Sequence, residues 1–251
     1  MWNGSACYNE EMNKYGRRRA EEGAKGQVME KVEFTQGQYH IDVFVRSAES
    51  CPVVYCLMDA ASVAELAASL EKENLVLAAV SGMDWADDLS PWPAPKAFRG
   101  GHDFGGRADV YLQGLVQDVV PAVEQRLSFS PACRIIGGYS LAGLCALYAM
   151  YRTDCFDRLV CVSGSLWYDG FLDFMRQNVL QRVPETAYFS LGDKEKQTRN
   201  QRMAVVEDRM KEAAAFLHQQ GTRTIFEQNP GGHFNEPTER LVRGIRWSLN
   251  G

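Results

Sequence analysis

The sequence predicts an α/β protein with a mostly parallel, twisted central sheet and helices on both faces. Three observations predict it. Short, largely apolar runs at 53–58, 75–80, 134–136, 159–162 and 187–191 read as strands of a sheet covered on both sides. Between and after them lie segments of helical length and period, at 63–72, 109–127, 144–150, 171–180, 203–219 and 236–249, and this alternation is that of a parallel sheet wrapped by helices. A chain of 251 residues, 45% of them hydrophobic, is long enough to bury one large core.

Residues 1–26 are polar and charged, include Arg17-Arg18-Arg19, and read as an N-terminal arm. Residues 27–251 are expected to form a single domain. Residues 28–34 and 39–45 alternate apolar and polar side chains around Gln36-Gly37-Gln38, which predicts an antiparallel hairpin at one sheet edge, with His40 a structural residue inside it. The strand at 75–80 opens into a long loop, 81–106, rich in Trp, Asp, Pro and Gly; loops of that length in compact domains are usually functional or mobile. In 109–127 the apolar residues Val110, Leu112, Leu115, Val116, Val119, Val120 and Val123 mark the buried side of a helix. The last predicted strand, 223–227, runs into Asn229-Pro230-Gly231-Gly232-His233.

Composition excludes several classes. A net charge of -5 provides no basic footprint for nucleic acid. No apolar run approaches the length needed to span a bilayer, and the first 26 residues hold no apolar signal core, so a cytoplasmic location is expected. The seven cysteines form no C-x-x-C pair, and most lie in apolar segments; reduced core thiols are expected, with no disulfide framework, no metal site and no cofactor. The oligomeric state is left open.

The stretch Arg134-Ile135-Ile136-Gly137-Gly138-Tyr139-Ser140-Leu141-Ala142-Gly143-Leu144 carries the chemistry. A buried strand passes through a sharp turn into a buried helix with Ser140 at the apex, the pattern of a nucleophile elbow. Residues two before and two after the serine must be small where strand meets helix, and Gly138 and Ala142 fill those places. The motif is G-x-S-x-A, with Gly143 one place further on. A serine hydroxyl needs an imidazole to take its proton, a carboxylate to orient that imidazole, and N–H donors for the developing oxyanion.

On such a fold the acid follows a later strand and the histidine comes near the C-terminus. Gly192-Asp193-Lys194-Glu195 follows the 187–191 strand, and His233 follows the last strand. His40, His102 and His218 lie on a strand, in the loop before the elbow, and near a helix end. Glu195, three residues after Gly192, is the preferred acid and Asp193 the second choice, its side chain being well placed to cap the turn. One oxyanion donor is expected from Leu141 and the other from Ala60 or Ala61, after the 53–58 strand.

With these residues the chain resembles the putative-esterase branch of the α/β-hydrolases, which includes siderophore (enterochelin-type) esterases, S-formylglutathione hydrolases, feruloyl esterases and mycolyltransferases. The resembling segments are Val-Tyr-Cys-Leu-Met-Asp-Ala (54–60), Asp-Leu-Ser-Pro-Trp (88–92), Gly-Gly-Tyr-Ser-Leu-Ala-Gly (137–143), Ser-Leu-Trp-Tyr (165–168), Leu-Gly-Asp-Lys-Glu (191–195) and Gly-Gly-His-Phe (231–234). The resemblance implies an α/β-hydrolase fold and an ester hydrolase acting through an acyl-enzyme on a small-molecule ester, without metal or cofactor. It implies Ala61 as second oxyanion donor, Asp59 in the substrate cleft, and the 81–106 loop as a pocket wall, with Trp85, Trp92 and Trp167 as aromatic candidates for the wall.

Similarity to the siderophore esterases is closest. An iron-loaded catecholate siderophore is anionic and favours a basic cleft, whereas the net charge here is -5, with Arg99 and Arg107 as candidate local exceptions. The substrate therefore stays open. Thioester cleavage and acyl transfer use the same machinery, and a catalytically silent binding module is the alternative from another class.

Overall fold

A computed structural model of the chain describes residues 30–45, 49–97 and 100–250. The expected arm at 1–26 lies outside the described residues. The chain builds an eight-stranded sheet in the order β1-β2-β4-β3-β7-β8-β9-β10. Strands β1 (Glu30–Gln36) and β2 (Tyr39–Val45) form the antiparallel edge hairpin, and β2 also pairs antiparallel with β4 (Val76–Ser81). The remaining strands, β3 (Val53–Leu57), β7 (Arg134–Tyr139), β8 (Arg158–Val162), β9 (Thr186–Gly192) and β10 (Arg223–Asn229), continue the sheet in parallel.

The apolar runs are buried on both faces because helices cover both. Along β3, Val53, Tyr55 and Leu57 face a core shared with α5 (Leu141–Arg152) and α8 (Val206–Gln219). Val54 and Cys56 face the opposite core, built with α1 (Val63–Ser69) and α9 (Pro237–Leu249). The period of two in a strand thus feeds two cores. From β3 the chain moves outward to β4 and then returns to the other side of β3 as β7. This reversal is the topological switch point of an open α/β sheet, where ligands bind beyond the carboxyl ends of the strands.

The structure is more segmented than the sequence pattern predicts. The helix expected at 109–127 is α3 (Ala108–Gly114), a π turn at Leu115–Val119, and α4 (Val120–Glu124). Pro121 has no N–H for the carbonyl four residues back and its ring crowds that carbonyl, so the helix widens there. The 81–106 loop contains a one-turn helix α2 (Trp85–Asp88), capped by the Asp84 side chain on the N–H groups of Ala86 and Asp87, and a small hairpin of β5 (Pro93–Ala94) with β6 (Phe104–Gly105). The helix expected at 203–219 is split into α7 (Gln201–Ala204) and α8, while α6 is Phe171–Gln177. Among the described residues no helix is long and apolar enough to cross a membrane.

Candidate active site

Strand β7 delivers Ser140 to the switch point. The serine adopts φ 60, ψ -122, a conformation that L-residues avoid, and α5 begins at the next residue. The turn is pinned by Ser140 N donating to Val162 O (2.9 Å) and Ser165 N donating to Ser140 O (3.1 Å). A Cβ at Gly138 would lie 2.6 Å from the Ala142 carbonyl carbon and 2.7 Å from its Cβ, which explains the small residues on either side of the serine. Strain is held here by neighbours packed too closely to let the turn relax.

The imidazole comes from the loop after β10. His233 Nε2 is 3.0 Å from Ser140 Oγ, and its Nδ1 is 2.7 Å from Glu195 Oε2. A carboxylate beside Nδ1 favours the tautomer protonated there and leaves Nε2 to accept the serine proton. The His233 carbonyl accepts from Tyr139 Oη, and Gly232 N donates to Asn235 Oδ1 (2.7 Å), so the loop is fixed on both sides of the ring.

Glu195, only 4% exposed, accepts three more hydrogen bonds at Oε1, from Ser163 Oγ (2.7 Å), Gly192 N (2.7 Å) and Arg240 (3.0 Å). Burial pushes its carboxyl group up, but hydrogen bonds from His233, Ser163 and the Gly192 N–H outweigh that and hold it below its ordinary value. Asp193 makes a different contact. Its Oδ1 accepts from Gly231 N (2.8 Å), and Asp193 N donates to Asn229 O (2.8 Å), which ties the acid turn to the histidine loop.

Three participants were missed in the sequence. Arg240, fully buried in α9, donates from Nη1 to Glu195 and Ser163 Oγ (3.2 Å) and from Nη2 to the carbonyls of Pro230 and Gly232 (both 3.1 Å). A signal existed: Arg240 heads the row 240, 244, 248, whose other members are Gly and Ser, and Gly244 lies against Tyr188 and Val160 of the sheet. An arginine on the small-residue face of a helix points inward. Ser163 and Ser165 follow β8, with Ser163 at φ 44 and Ser165 Oγ 3.5 Å from Ser140 Oγ. Both lie in the Ser-Gly-Ser turn; Ser165 opens the Ser-Leu-Trp-Tyr segment singled out above, but nothing local marks either hydroxyl as facing Ser140 or Glu195.

Leu141, as first residue of α5, has an N–H without an intrahelical partner, directly behind the serine. Ala61 is less free than expected: its N–H donates to Asp59 Oδ1 (2.8 Å), and Asp59 Oδ2 also accepts from Ser62 Oγ (2.9 Å). Asp59 caps the 3-10 turn Ala60–Ser62, and Ala60 N–H is the one left outside the turn's bonds.

Ser140 opens on two cavities, of about 360 and about 70 Å³. Trp85 lines both, Asp59 the larger and Trp167 the smaller. Trp92, expected in a substrate wall, lines neither. It donates from Nε1 to Asp169 O (3.2 Å) and is half-buried among Tyr148, Tyr168, Phe171 and Phe174, whose four rings hold it away from both cavities. Arg99 lies outside the described residues, and Arg107 is 3.6 Å from the buried Asp88 carboxylate. At the far edge, Glu33, His40 and Asp42 cluster at the hairpin, where Lys31 pairs with both carboxylates and sits 2.9 Å from Asp42.

A serine at a strained strand-to-helix turn, on the central strand of this sheet order, defines an α/β-hydrolase fold. The family model described as Putative esterase matches residues 35–236. The chain belongs to that family. It is 27% identical over 125 residues to the uncharacterized protein YbbA of Bacillus subtilis, a match covering 49% of this chain and about half (50%) of that relative. Among solved structures it is similar to the siderophore hydrolase EstA from Aspergillus nidulans, with TM-score 0.72 and 21% identity over 94% of this chain and 99% of that one. An IroE-like serine hydrolase from Shewanella oneidensis matches with TM-score 0.72 and 17% identity over 87% of this chain and 79% of its own.

Proposed function

We propose that the protein hydrolyses a small-molecule carboxylic ester through a covalent acyl-serine, with Ser140 as nucleophile, His233 as general base and then acid, and Glu195 as the orienting carboxylate. Ser140 Oγ bonds to the acyl carbon while its proton passes to His233 Nε2. The tetrahedral intermediate collapses, the bond to the alcohol oxygen breaks, and His233 returns the proton to that oxygen. Water then repeats the sequence on the acyl-serine, releasing the acid and the free enzyme. The N–H of Leu141 is the first oxyanion donor. The second is Ala60, or Ala61 once its bond to Asp59 opens.

The observation that carries this reading is the unbroken row Ser140 Oγ, His233 Nε2, His233 Nδ1, Glu195 Oε2, with links of 3.0 and 2.7 Å. Glu195 is preferred to Asp193 because Asp193 is turned onto the Gly231 N–H. A fluorophosphonate probe tests it: wild type should label at Ser140 and lose hydrolysis of p-nitrophenyl acetate, and Ser140→Ala should neither label nor hydrolyse. Labelling elsewhere, or retained hydrolysis in Ser140→Ala, would overturn it.

A further inference from the structure

The two cavities at Ser140 differ fivefold in volume, about 360 against about 70 Å³, and share Ser140, His233 and Trp85. The smaller is much the tighter of the two and is lined, besides the shared residues, by Phe104, Leu141, Ser165, Trp167 and Met203. The larger is walled by Met58, Tyr139, Phe234, Pro237, Thr238 and Leu241, among others.

The proton route orients the ester between them. His233 must face the departing oxygen to protonate it. The segment that follows His233 (Phe234, Pro237, Thr238 and Leu241) walls only the larger cavity. The departing alcohol therefore belongs there, and the acyl group belongs in the small cavity. Charge narrows the alcohol further. Among the described residues lining the larger cavity there is no Lys or Arg, and Asp59 is the only carboxylate. An anionic alcohol would meet repulsion there with no described cation to offset it. Phe234 is 89% exposed and stands edge-on to the His233 ring at 5.1 Å, which gives the mouth an apolar lip.

Resting on the role given above to Ser140, we propose that the substrate is an ester of a short acyl group with a bulky, mainly apolar alcohol that carries no negative charge. Fit to the small cavity sets the acyl preference, and Met203, which is half-buried, is its adjustable wall.

The test is a series with one alcohol, 2-naphthyl acetate, butyrate and octanoate, together with 6-sulfo-2-naphthyl acetate and ethyl acetate. In the wild type kcat/KM should fall at least about tenfold from acetate to butyrate and further to octanoate, since a pocket rejects excess methylenes by about ten- to two-hundredfold. The sulfonated acetate and ethyl acetate should each fall at least about tenfold below 2-naphthyl acetate. Met203→Ala should raise the butyrate-to-acetate ratio several-fold. Octanoate hydrolysed as well as acetate, or the sulfonated ester as well as the neutral one, would overturn the inference while Ser140 still labels with the fluorophosphonate. Failure to label or to cleave any of these esters would instead overturn the role of Ser140, and this inference with it.

Discussion

Replacing Arg240 with Met removes a buried cation while keeping most of the side chain's length. The guanidinium is fully buried and makes four donations: to Glu195 Oε1, to Ser163 Oγ, and to the carbonyls of Pro230 and Gly232. Breaking a buried ion pair from one side costs about 3–5 kcal/mol, because the other charge is left uncompensated. Glu195 would keep the Ser163 hydroxyl, the Gly192 N–H and His233, so the cost falls at the low end. The two loop carbonyls can rehydrate and add little. A net loss of about 3 kcal/mol in a domain of this size lowers Tm by roughly 6–12 °C. Thermal unfolding followed by circular dichroism at pH 7 reads this directly. Because the same guanidinium joins the acid to the loop bearing His233, kcat/KM for a p-nitrophenyl ester should fall by about two orders of magnitude, the usual effect of a misplacement near 1 Å. Arg240→Lys should recover part of the stability and little of the activity, since an ammonium cannot repeat a forked set of donations. Arg240→Met melting within 2 °C of wild type, with kcat/KM within about threefold, would refute the argument.

Four other outcomes follow from the same geometry. Ser140→Gly should be inactive yet more stable than Ser140→Ala by about 1 kcal/mol, because φ 60, ψ -122 strains any residue with a Cβ; equal urea midpoints for the two would remove strain from the account. Glu195→Gln should lose on the order of 10⁴-fold in kcat by favouring the wrong imidazole tautomer, and Asp193→Asn should lose less than about tenfold, as steady-state kinetics would show. Glu195 is held below its ordinary value of 4.5, so its ionised form adds stability above pH 4.5 that is lost as pH falls through the lower folded value; acid denaturation curves should show a shallower acid limb in Glu195→Gln than in wild type. Gly138→Ala should cost at least about 1–3 kcal/mol, measured by urea unfolding, since its Cβ would press on the Ala142 backbone.

The parts of the fold legible in the sequence were those fixed by local pattern. Apolar runs bounded by turns marked the parallel strands, and small residues around Ser140 marked the elbow. What stayed hidden depended on partners distant in sequence. Trp92 lies within one of the segments that resemble the hydrolases, yet its surroundings are set by residues 148–174, so sequence position alone pointed it toward a cavity wall that it does not line. The π turn and the small helix at Trp85–Asp88 likewise answer to one proline and one aspartate cap that no periodicity displays.

Glu195 shows where local and distant constraints meet. Glu195 N donates to Gly192 O (3.1 Å), which closes a turn, and the turn brings the Glu195 carboxylate back onto Gly192 N (2.7 Å). A carboxylate one residue after the glycine points away from that N–H and reaches the Gly231 N–H on the neighbouring loop instead. Glycine is required at 192 because a Cβ there would overlap the Gly231 carbonyl and lie 3.0 Å from Arg240 Nη2. The three-residue spacing between Gly192 and Glu195 is therefore the length of chain that turns a carboxylate toward His233 while the two loops stay in contact. One residue fewer would leave the carboxylate outside the turn, and a larger residue at 192 would separate Glu195 from His233.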